Sequence, residues 1–272
     1  MSRILSTMGI EFRIALRNRW VAIATGLMVL FALVLAAAGA APTGDIGADR
    51  LSVTVVSLTS LAVYLVPLLA LLMSFDAVAG EVERGTLPLL LTYPVSRAGI
   101  LAGKLLAHVL ILAIAVTLGY GAAALAAFWA DPKAVAGLSA LVRLIWTSVL
   151  LGATFLGLGY ALSSLARRPS GAAGLAIGLW LALVVLYDLG LLALVVSGGD
   201  GLAVQALPGL LLANPADAFR LFNLAAAAAV GAAGGIGAAA ASIPLWQSAL
   251  SMALWPLVAF ALALAAFRKV TP

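Results

Sequence analysis

Side chains able to do chemistry are sparse in this sequence, and they gather in few places. The densest group lies between two apolar runs, where Asp76, Glu81, Glu83, Arg84 and Arg97 are interleaved with Gly85, Thr86, Pro88 and Pro94. Gly85 ends one helix, Thr86 caps a second with Pro88 in its first turn, and Pro94 terminates it. The pattern predicts a short helix along a membrane surface with Glu81, Glu83 and Arg84 presented beside it. Charge concentrated in this way suits contact with a protein partner, and it also suits an ordinary solvated connector.

Elsewhere the candidates stand alone. Asp188, after Tyr187, is the one acid inside an apolar run, and intramembrane charge is costly enough to mark a functional candidate. Proton or substrate handling fits it, and so does a structural role in which water or Arg220 relieves the cost. No second intramembrane acid or base completes a proton relay. The single His108 lies four residues after Lys104, on the same helical face. One histidine is not a metal site, and the absence of cysteine excludes disulfides, thiolate ligands and cysteine nucleophiles. The segment from Gly99 to Lys104 has the wrong glycine spacing for a phosphate loop, lacks the Ser/Thr and follows no strand. We therefore expect no catalytic residue, no metal and no cofactor on this chain, which is not an enzyme.

The elements that position these residues follow from composition. The chain is 65% hydrophobic and 9% charged, against roughly 45–50% and about 25% in soluble domains. This predicts one all-α polytopic membrane domain over 1–272. Span-length apolar runs lie near 20–41, 53–75, 105–129, 142–166, 172–196 and 247–267, giving about six transmembrane helices with both termini on one side. That side holds Arg3, Arg13, Arg17, Arg19, Arg84, Arg97, Lys104, Arg167, Arg168, Arg268 and Lys269, eleven of the 15 basic residues; the other holds Arg50, Lys133, Arg143 and Arg220. The asymmetry predicts cytoplasmic termini and a cytoplasmic 76–104 loop. It also accounts for the net charge of +5 without nucleic acid.

Before the first span, segment 2–19 places Ile4, Met8, Phe12 and Leu16 at helical spacing, which reads as an interfacial helix and no signal peptide, the alternative being a frayed basic tail. The extracytoplasmic stretch 197–246 carries Pro208 and Asn214-Pro215, where Asn214 caps a short helix bearing Phe219 and Phe222 and Asp217 favours its positive end. An Ala/Gly tract over 225–241 would, as another span, move the C-terminus outside, against Arg268 and Lys269. Small-residue pairs at Gly174/Gly178 and Gly231/Gly235 offer faces for helix or protomer packing.

The 76–97 loop resembles that of the ABC-2 type permeases, E-x-E-x-G-T-L-x-x-L-L-x-x-P-[VI]-S-R. It is matched by Glu81, Glu83, Gly85, Thr86, Leu87, Leu90, Leu91, Pro94, Val95, Ser96 and Arg97. Lys104 and Asn214-Pro215-x-Asp217-Ala218-Phe219-Arg220 extend the likeness. The resemblance implies a type V exporter-like permease in a bacterial inner membrane, paired with a second copy. It implies a coupling helix, involving Glu81, Glu83, Arg84, Gly85, Thr86, Leu87, Pro94, Ser96 and Arg97, seated on a separate cytoplasmic ATPase that holds the ATP and Mg. Within the family the chain is most similar to the permease subunits of nitrous-oxide reductase maturation transporters. That likeness implies a periplasmic copper-binding β-helical partner, with Asn214, Asp217, Phe219, Arg220 and Phe222 as candidate contacts, and a role in assembling a copper–sulfur centre. The competing readings are an ABC-2 exporter of unrelated cargo, an ion-gradient-driven transporter using Asp188, an intramembrane enzyme, and a passive membrane anchor.

Overall fold

The computed structural model describes residues 2–16, 19–38, 50–92, 95–131, 137–196, 202–225 and 243–270, and these contain no strand. Along the chain they form α1 (Ser2–Leu16), α2 (Arg19–Ala38), α3 (Arg50–Ser74), α4 (Ala79–Glu83), α5 (Leu87–Thr92), α6 (Arg97–Ala130) and α7 (Leu138–Leu165). There follow α8 (Pro169–Val196), α9 (Leu202–Ala213), α10 (Pro215–Ala225) and α11 (Leu245–Arg268). The helices α3, α6, α7, α8 and α11 are long and apolar enough to cross a membrane, and α2 is a further apolar helix of 20 residues. These six coincide with the six apolar runs, although α6 begins at Arg97 rather than near 105. The Ala/Gly tract, including Gly231 and Gly235, lies outside the described residues except for Ala225.

Without water to satisfy the backbone, spanning segments must be helical, and their hydroxyls bond backward along the same helix. Thr59 Oγ1 donates to the Val55 carbonyl (2.8 Å), Ser74 Oγ to Ala70 (2.7 Å) and Thr154 Oγ1 to Leu150 (3.1 Å). Pro67 inside α3 cannot donate to the helix. Near it, Trp180 Nε1 of α8 donates to the Tyr64 carbonyl (3.0 Å).

Helix α7 is the spine. It packs against α3, α6 and α11, while α1 and α2 lie along α6 and α10 wedges between α3, α7 and α11. Its glycines set how closely those partners approach. A Cβ at Gly152 would sit 1.9 Å from Leu112 Cδ2, one at Gly157 2.8 Å from Ala259 Cβ, and one at Gly159 1.9 Å from Ser74 Oγ. Close contact, side chain against α7 at Gly152 and Gly159 and backbone against it at Gly157, replaces the hydrophobic drive that lipid cannot supply between helices. By contrast α8 is mostly uncovered: Leu175, Ile177, Leu186, Leu189 and Leu192 are exposed, and Gly174 and Gly178 have open space above them.

Gly159→Val should destabilise the protein by about 1–3 kcal/mol, the usual cost of overpacking. Gly121→Ala, where nothing lies within 4 Å, should be neutral or mildly stabilising. Thermal unfolding of the purified variants in one detergent checks the contrast; equal melting temperatures would remove close packing as the role of Gly159.

Candidate functional site

One end of the bundle is organised by the chain between α3 and α6. A turn after Ser74 leads into α4, Gly85 reverses the chain at φ +66°, and α5 follows, so the sequence-predicted break and second helix both form. Glycine is suited to that left-handed angle because it carries no Cβ. The Thr86 hydroxyl donates back to the Glu81 carbonyl (3.3 Å). Tyr93 and Pro94 lie outside the described residues.

The base of this hairpin is fixed from three directions. Ser163 Oγ of α7 accepts from the backbone N–H groups of Val78 and Ala79 (3.0 Å each), satisfying donors that the start of α4 leaves without intrahelical partners. Leu87 is fully buried among Val78, Ile100, Leu101, Tyr160 and Phe267. Lys104, 3% exposed, donates to Glu11 Oε1 of α1 (2.6 Å) and Glu81 Oε1 of α4 (2.5 Å). One turn further along α6, His108 Nδ1 lies 2.5 Å from the Tyr160 hydroxyl and 3.1 Å from the Lys104 carbonyl.

The residues singled out in the loop therefore divide by task. Glu81 turns inward to Lys104, and Ser96 caps α6 by accepting from Gly99 N–H (3.1 Å). Arg97 caps the far end of α11, donating to the carbonyls of Phe267 (2.9 Å), Arg268 (3.2 Å) and Val270 (2.8 Å). A guanidinium is well placed there, because a helix C-terminus has unpaired carbonyls and negative polarity. Glu83, Arg84, Gly85, Thr86, Pro88 and Leu89 remain exposed at the tip, Leu89 by 66%. Beside it a cavity of about 720 Å³ opens between α1, α3, the hairpin and α6, with Glu11, Asp76, Glu81, Arg84, Lys104 and His108 as its polar lining.

The opposite end is built on a distortion that hydropathy does not reveal. Within α8 the residues Leu181–Leu186 form a π-helical segment. Asn214 Nδ2 donates to the Leu183 carbonyl inside it (2.7 Å), while Asn214 Oδ1 accepts from Ala216 N–H (2.8 Å) at the start of α10, as its capping role predicts. Tyr187 OH reaches the Leu210 carbonyl of α9 (2.7 Å). Arg220 then binds Asp188 through both nitrogens (Nη2–Oδ2 2.7 Å, Nη1–Oδ1 3.1 Å) and Asp217 through one (Nη1–Oδ1 3.2 Å).

Phe219 is fully buried, and Phe222 packs edge-on to Trp146 at 5.6 Å. Asn223 donates to Thr147 Oγ1 of α7 (3.1 Å). Asn214, Phe219, Arg220 and Phe222 thus fix α10 against the bundle, while Asp217 is buried and pairs with Arg220 within α10. No three potential ligands cluster in metal-binding geometry among the described residues. The sequence carried signals for the hairpin and the α10 cap; Glu11, Ser163 and Asn223 escaped notice because each partner is remote in the chain.

The family described as "ABC-2 family transporter protein" matches residues 5–270 of this chain. A probable ABC transporter permease protein NosY of Pseudomonas aeruginosa is 48% identical over 263 residues, covering 95% of each chain. A probable ABC transporter permease protein NosY of Stutzerimonas stutzeri is 43% identical over 263 residues, again covering 95% of both.

Two acids share one arginine at the α10 end, and Asp217 Oδ2 accepts no hydrogen bond. Burial, reinforced by the neighbouring Asp188, pushes the Asp217 carboxyl up to about 7 despite Arg220. A raised carboxyl means that the folded state holds a proton the unfolded state has released. Stability should therefore fall as pH rises from the unfolded value of 3.8 to about 7 and be level above that. Asp217→Asn should flatten this part of the profile, read as melting temperature against pH; an unchanged slope would remove Asp217 as its source.

Proposed function

Since the chain belongs to the ABC-2 transporter family, we propose that it receives force from a separate cytoplasmic ATPase docked on the α4–α5 hairpin, with two copies side by side, each resting on one ATPase. It is a multi-pass permease of the bacterial inner membrane. The observation that carries the docking reading is the contrast within the hairpin. Its tip exposes Glu83, Arg84, Pro88 and Leu89, while its base is fixed by Ser163, Leu87 and Lys104. A mixed apolar and charged tip on a rigid base suits a surface that must transmit force as well as bind. The concentration of basic residues at that end supports its cytoplasmic placement.

The second copy is supported by α8, whose apolar face and small-residue pair Gly174/Gly178 are left open. The NosY relatives support a role in assembling the copper–sulfur centre of nitrous-oxide reductase, with a periplasmic copper-binding β-helical protein meeting the α9–α10 end. Differential affinity of the ATPase for the hairpin in its two nucleotide states supplies the coupling energy. The spans carry it to α10, where it moves a sulfur species or repositions the periplasmic partner.

A proton-driven transporter using Asp188 is the weaker reading, because both oxygens of that carboxylate are held by Arg220. In that case Asp188→Asn would abolish gradient-driven uptake into vesicles lacking ATP. Replacing Glu83, Arg84 and Leu89 together by alanine should weaken ATPase retention by at least about tenfold, or ~1.4 kcal/mol. The check is co-purification and ATPase stimulation from native membranes, with the fold monitored by melting; full retention and coupling in the triple variant would place the docking surface elsewhere.

A further inference from the structure

We propose that Lys104 is a positioning residue for coupling: the buried Glu11–Lys104–Glu81 bridge makes the N-terminal helix α1 and the base of the hairpin one rigid body. Force received at the α5 tip then reaches α6 directly through Lys104, and is passed by Glu11 to α1 and so to α2. The inference rests on the reading of the hairpin as the ATPase contact, and adds to it a moving part that the loop itself does not contain.

Three observations carry it. First, the bridge joins elements remote in sequence, since Lys104 on α6 meets Glu11 across 93 positions and Glu81 across 23. Second, it is buried: the three side chains are 3%, 13% and 12% exposed, and Glu81 Oε2 has no partner at all. Buried ion networks are often matched or exceeded in stability by apolar replacements, so what ions add is a geometry with steep penalties for displacement. If α1 and the hairpin slid apart by a few ångströms, a carboxylate or the ammonium would be left unpaired in a poorly solvated site.

Third, α1 is an amphipathic helix that packs along α6, and Glu11 ties it to the lysine that also holds the hairpin. Phe12 packs on the core and Met8 is half-buried, whereas Leu5, Ile10 and Ile14 are exposed. Glu11 is the only acid in α1, and it points to Lys104, the one buried lysine among the described residues. Helix α1 in turn packs along α6 and touches α2, so a hairpin displacement that carries α1 acts on both.

The sequence has no cysteine, which allows clean paired labelling. Spin labels at Arg13→Cys on α1 and Thr92→Cys on α5, both exposed, report the α1–hairpin distance in the full complex with its co-purified ATPase in lipid. The expected result is the same narrow distance in the nucleotide-free state and with ATP plus vanadate. Lys104→Met and the milder Glu11→Gln should broaden that distance and lower coupled ATPase stimulation by at least about fivefold. ATPase retention should persist, because the tip is untouched. Glu11→Gln keeps the Lys104–Glu81 pair and serves as the test should Lys104→Met fail to fold. A wild-type distance that changes between nucleotide states overturns the proposal, as does Glu11→Gln with both distance and coupling intact. Failure of the docking reading looks different: the wild-type chain would retain no ATPase.

Discussion

Lys104 cannot stand unpaired where it lies. An ammonium removed from water loses far more hydration energy than a single contact restores, so the site must supply opposite charge at hydrogen-bonding distance. Glu11 and Glu81 do so from two other elements. Around this bridge the whole hairpin end is arranged: Ser163 satisfies the start of α4, Tyr160 meets His108 on the next turn of α6, and Arg97 closes the end of α11. Each link crosses from one helix to another, so the end of the bundle behaves as one block with an exposed tip.

That block reaches the opposite end through α7. At 1.5 Å per residue, Thr147 and Ser163 lie roughly 24 Å apart along the same helix. Thr147 meets Asn223 of α10 and Ser163 meets the base of the hairpin. Gly152, Gly157 and Gly159 allow α3, α6 and α11 to approach the rod closely, which favours transmission over local yielding. A long helix with polar anchors at both ends links the hairpin mechanically to α10.

At the α10 end Asp188 is the counter-ion of Arg220, which it shares with Asp217. The π-helical segment presents the Leu183 carbonyl to Asn214, and the arginine closes the same junction a turn later. Helix α10 is thereby joined to α8, the helix whose outer face is bare. Any rearrangement between α8 and a neighbour is thus communicated directly to the loop helices.

The sequence by itself determined the class of protein, the placement of the apolar helices, the broken hairpin at Gly85 and the capped start of α10. These depend on composition, helical period and local backbone preferences, all of which operate over a few neighbouring residues. It also singled out Asp188 and placed Lys104 at the cytoplasmic entrance of a span, because charge beside or within apolar runs is visible without coordinates. Only the tertiary structure decided their partners and tasks: Glu81 inward and Glu83 outward, Arg97 on a carbonyl cluster, Phe219 in the core, and a π turn in a run of ordinary aliphatic residues. Ion pairs and close packing are set by which helices come together across dozens or more than a hundred residues. Hydropathy, which treats each helix separately, contains no record of that meeting.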